Sequence, residues 1–198
     1  MEGWHAMHMS VKPHFFIGIP FPAELAEPLY HSISSRPEFS FHKWVHPLDY
    51  HFTLVFLGPA DSEPLSDLEE SLSLIASDTD SFELRLKKTG TFGKPSEPRI
   101  LYVEPEYSAA LFELRERVKQ AAAGAGFEIE KRPFHPHMTV ARKWKGTASF
   151  NGPLDPLNDE VSFTARNLTV FQTHLDKVPK YEHKAVFPFG ARHQAAEM

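Results

Sequence analysis

His51-Phe52-Thr53-Leu54-Val55-Phe56-Leu57-Gly58 is an apolar-rich run carrying one polar pair, and its reading decides the fold. Gly58-Pro59 closes the run, which predicts a strand buried on both faces. Side chains alternate along a strand, so His51 and Thr53 share a face while Phe52 and Leu54 take the other. A second copy, His137-Met138-Thr139, opens another apolar segment that ends at Ala141. Each motif aims an imidazole and a hydroxyl at one small volume. A polar pair on an apolar strand needs partners or it costs stability. One copy alone reads as a core histidine satisfied by its threonine; two copies at matched places read as a site.

The places are matched by a weak internal repeat. His14-Phe15-Phe16-Ile17 precedes a helix and then His51, 37 residues from His14; Arg99-Ile100-Leu101-Tyr102 precedes a helix and then His137, 37 residues from Ile100. His14 to Ile19, bounded by Pro13 and Pro20, reads as a strand. Leu25, Leu29 and Ile33 follow at helical spacing, with Pro28 expected in the first turn. Leu65, Leu68, Leu72 and Ile75 form a second helical stripe, and Leu111, Leu114, Val118 and Ala121 a third, ended by Gly124 and Gly126. Strands are expected at Phe82–Leu86, Ile100–Glu104, Phe127–Lys131, His137–Ala141, Val161–Thr173 and His183–Phe187, with turns or loops at Gly93–Pro98 and Asn151–Asn158. Residues 11–190 are expected to form one bilobal domain, with flexible termini at 1–10 and 191–198.

Composition sets the outer limits. The 198 residues are 41% hydrophobic with 17 Phe, which argues for a packed globular chain. The lack of cysteine excludes a disulfide scaffold, a thiolate metal site and a cysteine nucleophile. No segment approaches the roughly 20 apolar residues of a membrane span, and no signal peptide is evident, so a cytoplasmic location is expected by default; monomer is the default oligomeric state, and no stable protein partner is implied. A net charge of −5 argues against coating nucleic acid by bulk electrostatics. Lys131, Arg132, Arg142, Lys143 and Lys145, with His135 among them, nevertheless surround the second motif and suit a small phosphate ligand.

Two facing imidazoles suit phosphoryl chemistry. A pKa near 6.5 lets one ring be neutral and the other protonated at the same pH. One then deprotonates a nucleophile while the other protonates the leaving oxygen. Threonine hydroxyls can donate to the non-bridging phosphate oxygens, and Arg142 can add a bidentate contact. Five residues beyond His137, however, Arg142 falls on the opposite face of a regular strand and reaches the site only where the strand bends or ends. A competing reading is a three-histidine metal site built from His135, His137 and His51. Pro136 restricts the intervening backbone, and no local carboxylate accompanies His135 or His137 as an orienter.

The extended motifs resemble a known family. Lys43-Trp44-Val45-His46-Pro47-Leu48-Asp49-Tyr50 leading into His51-Phe52-Thr53-Leu54-Val55-Phe56-Leu57-Gly58 is similar to the first signature of the RNA 2′,3′-cyclic phosphodiesterases. These are also called 2′-5′ RNA ligases and belong to the two-histidine phosphoesterases. Arg132-Pro133-Phe134-His135-Pro136-His137-Met138-Thr139-Val140-Ala141-Arg142 resembles the second signature. Pro13 to Ile19 resembles the opening strand, and Tyr181 the late tyrosine.

The resemblance implies an α/β (α+β) fold of two pseudo-symmetric antiparallel sheets flanking a cleft, with outer helices. It implies hydrolysis of a 2′,3′-cyclic phosphate to a 2′-phosphomonoester on RNA 3′ ends or small cyclic nucleotides, with no metal or other cofactor. It also implies phosphate contacts from His51, Thr53, His137, Thr139 and Arg142. His51 is taken as general acid and His137 as general base, and Phe16, Trp44 and Tyr181 as base-stacking candidates. Two positions depart from the family pattern: Ile100-Leu101-Tyr102 lacks a tryptophan that relatives often carry, and Thr173 replaces a usual serine. The alternatives are a reversible 2′-5′ ligase and a nucleotide-binding module without turnover.

Overall fold

The computed structural model describes residues 12–152 and 160–190. The flexible termini expected at 1–10 and 191–198 lie outside the described residues, as does most of the expected loop after Asn151. The chain runs β1 (His14–Pro20), α1 (Ala23–Ser34), β2 (Phe41–Trp44), a 3-10 turn (Pro47–Asp49), β3 (His51–Pro59), α2 (Ser62–Ser77), β4 (Phe82–Lys94) and β5 (Glu97–Pro105). It continues with α3 (Ala109–Gly124), β6 (Met138–Trp144), β7 (Ser162–Ala165), β8 (Asn167–Thr173) and β9 (Tyr181–Pro188). Among the described residues no helix is long and apolar enough to cross a membrane.

Two antiparallel sheets result. One has the order β3-β1-β8-β9, the other β2-β6-β5-β4-β7. The repeat read from the sequence is structural: the offset that carries His51 onto His137 also carries the first residue of α1, Ala23, onto the first of α3, Ala109. Central strand β1 thereby corresponds to β5, and β3 to β6. Interior side chains such as Ile17, Phe52, Leu101, Val103, Met138 and Leu168 from both sheets belong to one hydrophobic core, and their burial, at about 25 cal/mol per Å² of apolar surface, is what holds the sheets in register.

Several expectations are corrected. Phe127–Lys131 is not a strand: the Phe127 N–H turns back to the Ala122 carbonyl at the end of α3, and no neighbouring strand takes up the rest. Its repeat mate is β2, which does pair, with β6. Val161–Thr173 is two strands in different sheets, parted at Arg166. The turn expected within Gly93–Pro98 is present as the tip of a β4–β5 hairpin, but it is tighter than the expected stretch, since β4 runs to Lys94 and β5 starts at Glu97. Pro28 lies in the second turn of α1, on an exposed stretch of the helix, and cannot donate to the carbonyl of Glu24, itself an exposed residue.

The strand His51–Pro59 is buried on one face only, and a bulge shifts the alternation along it. Ile17 pairs with Val55 and Gly18 with Thr53, leaving Leu54 as an extra residue. After the bulge the alternation reverses, so Phe56, which pairs with Phe16, joins His51 and Thr53 on one face. The same device sits at the matching place in β6. Leu101 pairs with Ala141 and Tyr102 with Thr139, leaving Val140 extra. Arg142 therefore shares a face with Thr139, and the objection that it must point away is removed. Gly18 is required at the first bulge, because a Cβ there would stand 2.5 Å from the Phe52 carbonyl oxygen.

Candidate active site

A cleft of about 1270 Å³ is lined by His51 and Thr53 from one sheet and by His137, Thr139 and Arg142 from the other. The two halves hold their histidines in the same way. His51 Nδ1 donates to the Asp49 carbonyl oxygen at 2.6 Å, and His137 Nδ1 donates to the His135 carbonyl oxygen at 2.8 Å. A carbonyl accepts only, so each ring carries its proton on Nδ1 and keeps Nε2 for chemistry. The Thr53 hydroxyl lies 3.1 Å from His51 Nε2 and donates to it in the neutral state.

Aromatic rings fix each imidazole from the sides. His51 packs on Phe16 (centroids 4.6 Å), on Tyr181 edge-on (5.0 Å) and on Phe171 (5.2 Å). His137 stands edge-on to Phe92 at 4.8 Å and 5.5 Å from Tyr102. Phe16 and Tyr102 are themselves repeat mates on β1 and β5. Such packing holds a ring within the narrow range of orientations that proton transfer needs.

Burial acts on the charges. It pushes the His51 pKa down to about 4, against the opposing bond to the Asp49 carbonyl; His137, Arg142 and His183 lower it further. His137 is also lowered, chiefly by burial, with neighbouring His135 and Arg142 acting in the same direction. Burial therefore favours the neutral form of both rings at pH 7. The Tyr181 hydroxyl is raised by burial, with nearby Arg142 opposing.

Asp49 does a second task that sequence reading left unassigned. Its buried carboxylate accepts the backbone N–H of Lys180 through both oxygens at 2.9 Å, and that of Tyr181 at 3.0 Å. One residue thus sets the His51 ring through its carbonyl and the start of β9, with Tyr181, through its side chain.

The stacking candidates fare differently. Tyr181 lines the cleft and is half-buried. Phe16 lines it too but is 4% exposed and serves as the floor beneath His51. Trp44 does not reach the cleft: it is the last residue of β2 and packs edge-on against Tyr30 of α1 at 5.9 Å. Phe56, missed in the sequence because regular alternation hides it, is 58% exposed on the cleft wall. It is the repeat mate of Arg142. His135 and His137 have ring centroids 6.1 Å apart, but the His135 Nε2 approaches Glu104 at 3.6 Å. Among the described residues no group of three His, Cys, Asp or Glu is arranged to hold a metal ion.

Two pseudo-symmetric sheets that each lend a histidine and a threonine to a shared cleft form the arrangement of a two-histidine phosphoesterase. The family model of the 2′-5′ RNA ligase superfamily matches residues 21–177, and the chain belongs to that superfamily. It is 47% identical over 180 residues to the RNA 2′,3′-cyclic phosphodiesterase of Bacillus subtilis, covering 91% of this chain and 97% of the relative. A Geobacillus stearothermophilus protein of the same name is 36% identical over 180 residues, covering 89% of this chain but 57% of the relative. The crystal structure of Escherichia coli LigT complexed with 3′-AMP superposes with a TM-score of 0.73 at 25% identity, covering 90% of this chain and 99% of that one.

Proposed function

We propose that the protein hydrolyses 2′,3′-cyclic phosphodiesters at RNA 3′ ends or on nucleotides to 2′-phosphomonoesters, without a metal ion. The observation that carries this reading is the pair of matched imidazoles, each fixed through Nδ1 and each presenting Nε2 to one cleft beside a threonine and Arg142. The names of the Bacillus and Geobacillus relatives point to the same reaction.

The cyclic phosphate sits between the two rings, with the Thr53 and Thr139 hydroxyls and Arg142 on its non-bridging oxygens. Its negative charge offsets the burial that keeps the rings neutral, and one ring takes up a proton. His137 removes a proton from water as the water oxygen attacks phosphorus. The bond from phosphorus to the 3′ oxygen breaks, and His51 protonates that oxygen. Burial suits His51 to this role, since an imidazolium of low pKa is a strong acid once the substrate has loaded it. Arg142 and the threonines hold the charge that builds on the phosphoryl oxygens, the term that is usually largest in such reactions. Phe56 and Tyr181 are the rings placed to contact the base.

The description of the superfamily also favours the ligase direction, in which an RNA 5′-hydroxyl takes the place of water at the same site. The decisive assay incubates the protein with adenosine 2′,3′-cyclic phosphate and EDTA and identifies the product. Adenosine 2′-phosphate is expected, with a loss of about 10²–10⁴ in rate, roughly 3–5 kcal/mol, for His51→Ala and for His137→Ala. Near-full turnover by either variant sinks the reading, and loss of activity with EDTA sinks its metal-free part. A 5′-hydroxyl RNA fragment added to the same mixture reveals ligation by a longer product.

A further inference from the structure

The β2–β6 pairing sets Lys43 directly opposite Arg142. Cross-strand partners share a face, with Cβ atoms about 5 Å apart, and like charges so placed destabilise a sheet. Val45, one residue beyond the end of β2 and bonded through its N–H to the Val140 carbonyl of β6, lines the cleft. Among the described residues neither Lys43 nor Arg142 has an acidic side chain within ion-pair distance. In a chain of net charge −5 with acidic residues to spare, Arg142 in the cleft and Lys43 beside it on the exposed edge strand, both left uncompensated, mark a place for more than one anionic group.

The surroundings say which anion. Arg142 is flanked by Ile100 of β5 on one side and Lys43 of β2 on the other, and β2 is the edge of its sheet. A linear polyanion whose end lies at Arg142 therefore leaves over Lys43 and the β2 edge into solvent. The cleft volume of about 1270 Å³ also exceeds the roughly 300–1,000 Å³ of an ordinary small-molecule site, which leaves room for a second nucleotide.

We propose that Lys43 binds the phosphodiester immediately 5′ of the cyclic end, a contact that a cyclic mononucleotide lacks. This rests on the proposed phosphodiesterase reading and assigns a further residue to that site. Lys43 is a specificity residue on this view, and its charge matters more than its shape.

The test compares wild type, Lys43→Ala, Lys43→Gln and Lys43→Arg on adenosine 2′,3′-cyclic phosphate and on the dinucleotide ApA with a 2′,3′-cyclic end. Relative to wild type, the ratio of kcat/KM for dinucleotide to mononucleotide should fall about tenfold in the Ala and Gln variants and be kept by Arg. The salt dependence of kcat/KM for the dinucleotide should lose about one phosphate contact's worth of slope. An unchanged ratio overturns the proposal. Should wild type turn over neither substrate, the phosphodiesterase reading has failed. The Lys43 proposal is then decided by calorimetric binding of ApA 2′-phosphate against adenosine 2′-phosphate, where Lys43→Ala must remove the dinucleotide's advantage.

Discussion

Arg142 stands on the same face of β6 as Thr139, although three residues apart in a regular strand would set them on opposite faces. The extra residue Val140 is what brings them together. The guanidinium, unlike an ammonium, presents a planar fork that matches two phosphate oxygens. Arg142→Ala should therefore lower kcat/KM by about 10²–10³, as loss of one preorganised charge-stabilising donor does elsewhere. Arg142→Lys should recover only part of this. Steady-state kinetics on a cyclic nucleotide decide the matter, and full recovery by lysine would show that charge alone suffices.

The pH dependence follows from the direction of both histidine shifts. Catalysis needs one ring protonated and one neutral, so kcat/KM peaks between their pKa values in the free protein. Burial puts both below 6.5, with His51 down to about 4. The maximum of kcat/KM should accordingly fall on the acid side of pH 6.5 and decline toward pH 8. A maximum at pH 7.5 or above would contradict the burial of the two rings. Stability runs the other way. His51 is neutral in the folded state where the unfolded chain binds a proton, so stability is lost as pH falls from about 6.5 through 4. Thermal unfolding across that window should show a drop that His51→Gln reduces.

The division of labour between the rings can be separated by the leaving group. A general acid is needed for a poor leaving group such as a ribose hydroxyl, but not for a nitrophenolate. With bis(p-nitrophenyl) phosphate, His51→Ala should lose far less of its rate than it does with adenosine 2′,3′-cyclic phosphate. His137→Ala should be impaired on both. The opposite pattern would exchange the roles of the two histidines.

Much of this was legible in the sequence because it depends on local pattern: the His-x-Thr pairs, the apolar strands and the repeat all follow from spacing. What was hidden depends on partners. A bulge is a mismatch between two strands, so nothing in Leu54 or Val140 alone announces it, and with it went the placement of Phe56 and Arg142. The strand β2 has only four residues, two of them the exposed His42 and Lys43, and it exists because β6 offers it an edge. Phe127–Lys131 has the alternation of a strand and lacks the partner. Asp49 and Lys180 are remote in sequence, so the clamp between them could not be read from spacing.

The support of His137 passes through a glycine, and this gives a test by repacking. Gly90 pairs with Tyr102 across β4 and β5, and a Cβ at position 90 would lie 2.4 Å from the tyrosine ring. The ring is 7% exposed and held between Phe92 at 4.3 Å and His137, so it has little room to yield. Gly90→Ala should cost about 1–3 kcal/mol as overpacking and lower kcat by displacing the ring behind His137. In a Tyr102→Ala background the same change should be neutral or slightly stabilising, because the clash is gone and alanine restricts the unfolded chain. Chemical denaturation of the four proteins of this cycle measures the coupling. An equal cost of Gly90→Ala in both backgrounds would mean that Tyr102 does not rely on the glycine for its place beside His137.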